Sequence, residues 1–372
     1  MKRIFMLLFL LPFLSRAQNS YTVSNIPGVT ANFRTLQGAI DSVAASSTLY
    51  VFPSAIDYGN ININKKILIV GTGFMLDQNA APYTSPNQEG VVLSSVWFQP
   101  GSDNSYLEGL HFSGETTGLR YYRLLLDSVA NVTVNRCMLE IWPSYPGGNI
   151  EIETKNTSNC TFSQCYITGL NLGFPNHSGG EQYIELGTGS QNLQFINNIF
   201  DNRSADAGMT FNHNVSPVNY GSVIFTNNVF AFDVNTTDFC NYTYFNNFFI
   251  AVNPGKAVYS NVHLNGTSGF NITNVPALFP VGSGNFQGAN VDSLFVNSTF
   301  GYHSFDQRWQ VLPSSFAKTF ANDGGEVGAY GGYNPYMLSG ITTYPNIYSV
   351  TVSRDTTIHG NALVRIKANA TN

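Results

Sequence analysis

Charge is scarce in this chain. Only 10% of its 372 residues are charged, and the formal net charge is −5. Neither a basic stripe nor a basic run occurs, which excludes a nucleic-acid partner held by phosphate neutralisation. Cysteine is equally sparse at four residues, too few for a disulfide scaffold. Cys-x-x-Cys pairs, a P-loop and a dinucleotide fingerprint are missing, and the Gly324–Gly332 stretch lacks the strand–helix setting such motifs need. Beyond Leu14 no apolar run approaches the roughly 20 residues that cross a bilayer. Apolar residues at three- and four-residue spacing, the mark of helical repeats, are also lacking from the middle of the chain.

Residues 1–17 read as a secretory signal. Lys2 and Arg3 give the positive start, Ile4–Leu14 the apolar stretch and Ser15-Arg16-Ala17 a small-x-small cleavage site. The expectation is an exported chain, periplasmic, secreted or at the cell surface, beginning near Gln18. Loss of the three basic residues in that segment makes the remainder more acidic. With so few charges, amides and hydroxyls must supply the surface polarity, while 28 Phe and 20 Tyr supply an interior.

Five nine-residue stretches superpose without a gap: Asn131–Leu139, Asn159–Ile167, Asn192–Phe200, Ser222–Phe230 and Asn241–Phe249. An imperfect sixth is Asn104–Phe112. Their starts lie 27, 28, 33, 30 and 19 residues apart, the spacing of a solenoid whose units bury their faces against one another. The second position reads Val132, Cys160, Leu193, Val223, Tyr242, and the fourth Val134, Phe162, Phe195, Phe225, Tyr244. This alternation is strand periodicity. After one skipped beat, positions seven (Cys137, Cys165, Asn198, Asn228, Asn247) and nine (Leu139, Ile167, Phe200, Phe230, Phe249) also point inward. The skip marks a bend between two short strands. Coils stack about 4.8 Å apart, so Asn198, Asn228 and Asn247 can form an interior amide ladder. Cys137 and Cys165 share that column at a separation a disulfide allows. Export permits the bond, and stacked free thiols fill the column equally well.

The arrangement resembles the right-handed parallel β-helix of the pectate-lyase-like superfamily. Phe33-Arg34-Thr35-Leu36-Gln37-Gly38-Ala39-Ile40 followed by Thr48-Leu49-Tyr50-Val51-Phe52-Pro53 looks like its entry, a capping helix and a first strand. Ile61 to Gly73 looks like the next turn. Asp323-Gly324-Gly325-Glu326-Val327-Gly328-Ala329-Tyr330-Gly331-Gly332 with Tyr344-Pro345 resembles the closing segment of secreted bacterial β-helix proteins of unassigned activity. The resemblance implies an all-β right-handed parallel β-helix and a polysaccharide groove on the outward face of one sheet. The fold itself hosts lyases, hydrolases, esterases and adhesins. The motifs of pectate lyases and the clustered aspartates of the pectin-hydrolysing branch are absent from this sequence.

The expected organisation is a signal peptide over 1–17, an N-terminal cap over 18–48 with an amphipathic helix over Asn32–Ala45, a β-helix over 49–312, and a C-terminal cap with a terminal strand pair over 313–372. That pair is Ile347–Val352 with Ala362–Lys367. A third strand should precede each nine-residue window: Arg123–Asp127, Glu151–Lys155, Tyr183–Gly187 and Met209–His213. Arg123, Glu151 and Tyr183 then fall in one outward column, and Leu125, Glu153, Glu185 and Asn212 in the next. His177 and His213 lie on or beside this face. Glu153 and Glu185 are the candidate catalytic pair, because adjacent coils bring carboxylates to about the 5 Å of a retaining glycosidase. Arg123, Glu151, Tyr183 and His213 are the candidate substrate-binding residues. The chemistry implies no organic cofactor. Ca²⁺ is the one candidate ion, at Asp201, Asp206, Asp233 and Asp238 with Arg203 nearby; ordinary turn chemistry is the competing account. Three functions remain open: binding of a polysaccharide or cell-surface glycan, polysaccharide cleavage by a hydrolase or lyase, and a structural surface or adhesin role. Oligomeric state is not legible.

Overall fold

The computed structural model describes residues 19–84, 90–113, 122–140, 149–168, 182–187, 189–202, 209–212, 223–232, 242–251, 267–276, 278–280, 282, 284–296, 304–342, 346–354 and 362–369. Three parallel sheets of ten, nine and six strands run side by side along the chain. From Asn60 to Phe232 each coil visits the six-stranded sheet, then the ten-stranded sheet, then the nine-stranded sheet. Tyr122–Asp127, Thr133–Asn135 and Met138–Glu140 form one such coil, and Asn149–Lys155, Thr161–Ser163 and Tyr166–Thr168 the next. This is a right-handed parallel β-helix.

The repeat register is observed residue for residue. Val134 pairs with Phe162, Phe162 with Phe195, Phe195 with Phe225 and Phe225 with Tyr244. Their rings stack inside the coil: Phe162–Phe195 at 4.8 Å, Phe195–Phe225 at 4.7 Å and Phe225–Tyr244 at 5.1 Å between centroids. Phe200, Phe230 and Phe249 form a second stack at 4.8 and 4.9 Å. The skipped beat is a left-handed residue at position six, with φ between 50° and 57° at Arg136, Gln164, Asn197, Asn227, Asn246 and Phe270. Asparagine at three of these six positions fits its tolerance of that conformation.

The amide ladder exists and is longer than expected. Asn198 Nδ2 donates to Asn228 Oδ1 (3.0 Å), Asn228 Nδ2 to Asn247 Oδ1 (3.0 Å), Asn247 Nδ2 to Asn271 Oδ1 (3.0 Å) and Asn271 Nδ2 to Asn285 Oδ1 (2.8 Å). Each Oδ1 also accepts the backbone N–H one coil back, ending at Cys165 N (2.9 Å). Cys137, Cys160 and Cys165 are free thiols, so of the two accounts of Cys137 and Cys165 the unbonded one holds; Cys240 lies outside the described residues. Each thiol donates to a carbonyl two residues back, at 3.3–3.4 Å. Burial drives all three thiols up, Cys160 to about 11 and Cys165 to about 12. A thiolate-dependent reagent at pH 8 should therefore label these three cysteines only after denaturation, since the thiolate is the nucleophile. Rapid labelling of Cys137 or Cys165 in the native protein, read by peptide mass, would contradict this burial.

The N-terminal helix is shorter than its pattern suggested. It spans Leu36–Ser42, with Thr35 as N-cap accepting from Gly38 N at 3.2 Å. Phe33 lies instead in a bridge to Val23 of a strand, Ser20–Val23, which extends the ten-stranded sheet ahead of Thr48–Val51. Gln37 seals the free edge of the six-stranded sheet: its Oε1 accepts Asn62 N (2.7 Å) and its Nε2 donates to Asn62 O (3.1 Å). This is the edge protection a stack requires. The terminal strands pair antiparallel as expected, over Asn346–Arg354 and Ala362–Asn369.

The largest departure is at the C-terminal end. Residues 304–342 do not simply close the last coil. They run back along the outer face of the nine-stranded sheet, where Met138, Tyr166, Ile199, Val229 and Phe248 join Leu294, Trp309, Val327, Ala329 and Tyr336 in a second apolar core. Asn246 is bonded to Asn322 (2.9 Å), Asn197 to the carbonyls of Ala329 and Gly331 (2.8 and 2.7 Å), and Arg136 to that of Ile341 (2.8 Å). A Cβ at Gly328 (φ 87°) would strike Phe248, and one at Gly332 (φ 72°) would strike Asn227. The glycine richness of this segment reflects its close approach to the coils.

Candidate functional site

The strap covers the outer face of the nine-stranded sheet, and Glu153 and Glu185, the pair the sequence singles out, lie on the six-stranded sheet. Its strands are Asn60–Ile63, Ser95–Phe98, Tyr122–Asp127, Asn149–Lys155, Gln182–Leu186 and Met209–Asn212. Inward positions Leu124, Leu126, Ile152, Thr154, Ile184 and Leu186 are fully buried, so the residues between them lie on the opposite face. One outward column runs through Asn62, Trp97, Leu125, Glu153 and Glu185, and Asn212 on the sixth strand is the register partner of Glu185. From Leu125 onward the register is the expected one. Asn62 and Trp97 were not anticipated, although Asn60-Ile61-Asn62-Ile63 and Ser95-Val96-Trp97-Phe98 alternate in the same way.

Glu153 and Glu185 are register partners on adjacent strands. Glu153 is largely buried and Glu185 half-buried. Lys155, two residues along the same strand, forms an ion pair with Glu153 and pairs in register with Asp127. The Lys155 ammonium is held above the ordinary lysine range, first by its hydrogen bond to Glu153 and then by the charges of Glu153, Glu185 and Asp127. One cation thus stands among three carboxylates, and the local balance is acidic.

The neighbouring column does not continue as expected. Ile150 pairs with Tyr122 and Ile152 with Leu124, which sets Glu151 beside Arg123. Towards the next strand, however, Ile150 pairs with Tyr183 and Ile152 with Ile184. Glu151 is therefore the extra residue of a bulge, and Tyr183 lies beside Ile150 rather than Glu151. Nothing in the sequence marks a bulge there. Arg123 is buried at the corner between the six- and nine-stranded sheets. Its Nε donates to Glu140 O (2.9 Å) and its Nη1 to Ser94 O (3.0 Å). The guanidinium thereby fixes the strand ends that border the face. Beside it, His111 Nε2 and Glu140 Oε2 lie 3.0 Å apart, both partly accessible. This pair also escaped the sequence reading, because the two residues sit on different coils at different positions.

His177 and His213 lie outside the described residues, as do Arg203, Asp206, Asp233 and Asp238. Asp201 is fully buried, accepting from Tyr166 Oη (2.7 Å) and Trp309 Nε1 (3.1 Å). That geometry ties a coil to the strap. Among the described residues no group of three or more His, Cys, Asp or Glu side chains is placed to hold a metal ion, and no helix is long and apolar enough to cross a membrane.

No protein-family model matches this chain, and no curated protein matches it. Solved structures do. The chain is similar to the pectate lyase Pel9A, with 14% identity and a TM-score of 0.49 over 84% of this chain and 96% of that one. It is similar as well to the pectin methylesterase from Aspergillus niger in deglycosylated form, with 12% identity and a TM-score of 0.43 over 82% of this chain and 94% of that one.

Proposed function

We propose that this is an exported β-helix protein that binds a polysaccharide along the outer face of its six-stranded sheet. The observation that carries the reading is the column Asn62, Trp97, Leu125, Glu153, Glu185, Asn212, which holds its register over six adjacent strands. Such a column offers side chains at roughly the 4.8 Å strand spacing, a linear array suited to an extended ligand. Side-chain amides both donate and accept, as sugar hydroxyls do. Glu153, Glu185 and Asp127 outnumber Lys155, so a neutral or mildly basic chain fits better than a polyuronate, which like charge would repel.

The pairing of Glu153 with Glu185 supports a second reading, cleavage. Carboxyl groups about 5 Å apart suit a retaining glycosidase, in which one protonates the leaving oxygen and the other attacks the anomeric carbon. The double variant Glu153→Gln with Glu185→Gln separates the two readings on any polysaccharide that binds. Lost turnover with retained binding, measured by reducing-end release and calorimetry, supports catalysis. Weakened binding with no turnover in the parent supports a binding protein. Unchanged binding and activity would remove this face from consideration.

A further inference from the structure

We infer that Trp97 is a sugar-stacking platform, the place on this face where one uncharged pyranose ring lies flat against the protein. The inference rests on the reading that a saccharide follows the six-stranded sheet, and it adds which end of the face reads which chemistry. Trp97 sits in the outward column between Asn62 and Leu125. The residue is half-buried, yet its indole Nε1 is buried. What the indole shows to solvent is therefore carbon rather than its polar N–H, an apolar spot in a polar face.

The surroundings distinguish this from an incidental exposed aromatic. The two strands that carry it, Asn60–Ile63 and Ser95–Phe98, contain no charged residue. Of their other side chains on this side, Asn60 and Asn62 are partly exposed, and Ser95 is fully buried, its Oγ donating to Asn60 Oδ1 at 2.7 Å. Charge borders these strands at their start, where Asp57 accepts from Ser94 Oγ and Arg123 Nη1 donates to Ser94 O (3.0 Å); the other charges of the face begin one strand further on, at Asp127, Glu153, Lys155 and Glu185. An aromatic ring with an amide beside it matches a pyranose, whose C–H face is apolar and whose rim carries hydroxyls. The face is thus divided, with a neutral ring-binding end at Trp97 and an acidic end at Glu153 and Glu185.

The test titrates the full chain with a panel of neutral hexasaccharides (gluco-, manno- and xylo-configured), following calorimetry and tryptophan emission. The chain has three tryptophans, and Trp309 is buried against Asp201 beneath the strap. The expected result is an emission change on binding that disappears in Trp97→Phe, with affinity largely kept by the phenyl ring. Trp97→Ala should weaken binding about tenfold, the loss of one good aromatic contact, with the circular dichroism spectrum of the folded parent retained. If Trp97→Ala does not fold, Trp97→Leu keeps the apolar bulk without the ring and should show the same loss. A folded Trp97→Ala or Trp97→Leu that binds as tightly as the parent overturns the platform while leaving polysaccharide binding intact. Failure of the parent to bind any panel member or its polymer overturns both.

Discussion

Replacing Phe195 with Ala should lower the unfolding free energy by about 3–5 kcal/mol, the range for emptying a packed aromatic site. Phe195 is fully buried and lies between Phe162 and Phe225 at 4.8 and 4.7 Å, with near-parallel rings. It also meets Phe200 at 6.3 Å, so both interior stacks face the void. Strand register holds the backbones on either side near 4.8 Å apart, which prevents collapse into the gap. The measurement is denaturant unfolding of parent and variant. A change below about 1 kcal/mol, outside the range for packed aromatics, would place Phe195 outside a close-packed interior.

The second large effect is expected at Asn228. Leucine there is more apolar and nearly the same size, yet should destabilise by about 1–3 kcal/mol, because partners left without a bond retain their desolvation cost. Those partners are numerous. Asn228 Oδ1 accepts Asn198 N and Nδ2, and Asn228 Nδ2 donates to Phe195 O, Thr226 O and Asn247 Oδ1. The same unfolding experiment reports the outcome. An unchanged or raised midpoint for Asn228→Leu would mean the ladder contributes nothing.

How much of this was legible depends on what repeats. Inward residues recur at fixed positions because every coil must fill the same interior, so Phe195 and its neighbours could be placed from the sequence alone. The ladder's last rungs, Asn271 and Asn285, were not seen because the apolar marks fade there: the window that puts Asn271 at position seven carries Gly266, Ser268 and Thr273 at positions two, four and nine, and Asn285 follows after only 14 residues. The strap left a trace that alternation alone obscures. Position eight reads Met138, Tyr166, Ile199, Val229 and Phe248, an outward place that is nonetheless apolar throughout, which is what a covered sheet face requires. At the candidate site the pairing of Glu153 with Glu185 followed from strand spacing. The bulge at Glu151, the inward turn of Arg123 to the corner and the meeting of His111 with Glu140 depend on local backbone shifts and side-chain paths, which leave no periodic mark.

The strap has a consequence for how the molecule comes apart. Repeat arrays are commonly treated as a row of units that open one after another from an end. Here Asn79 bonds to Ser339 and Asp306 across 260 and 227 residues, while Asn246, Asn197 and Arg136 grip the same late segment at intervals. No coil in that interval can open without also breaking contacts made by residues near the end of the chain. Unfolding should therefore be all-or-none over this span rather than a progressive fraying. During synthesis the early coils must wait, with the outer face of their nine-stranded sheet bare, until residue 342 has emerged, and the apolar residues at Met138, Tyr166 and Ile199 stay open to misassociation for that interval.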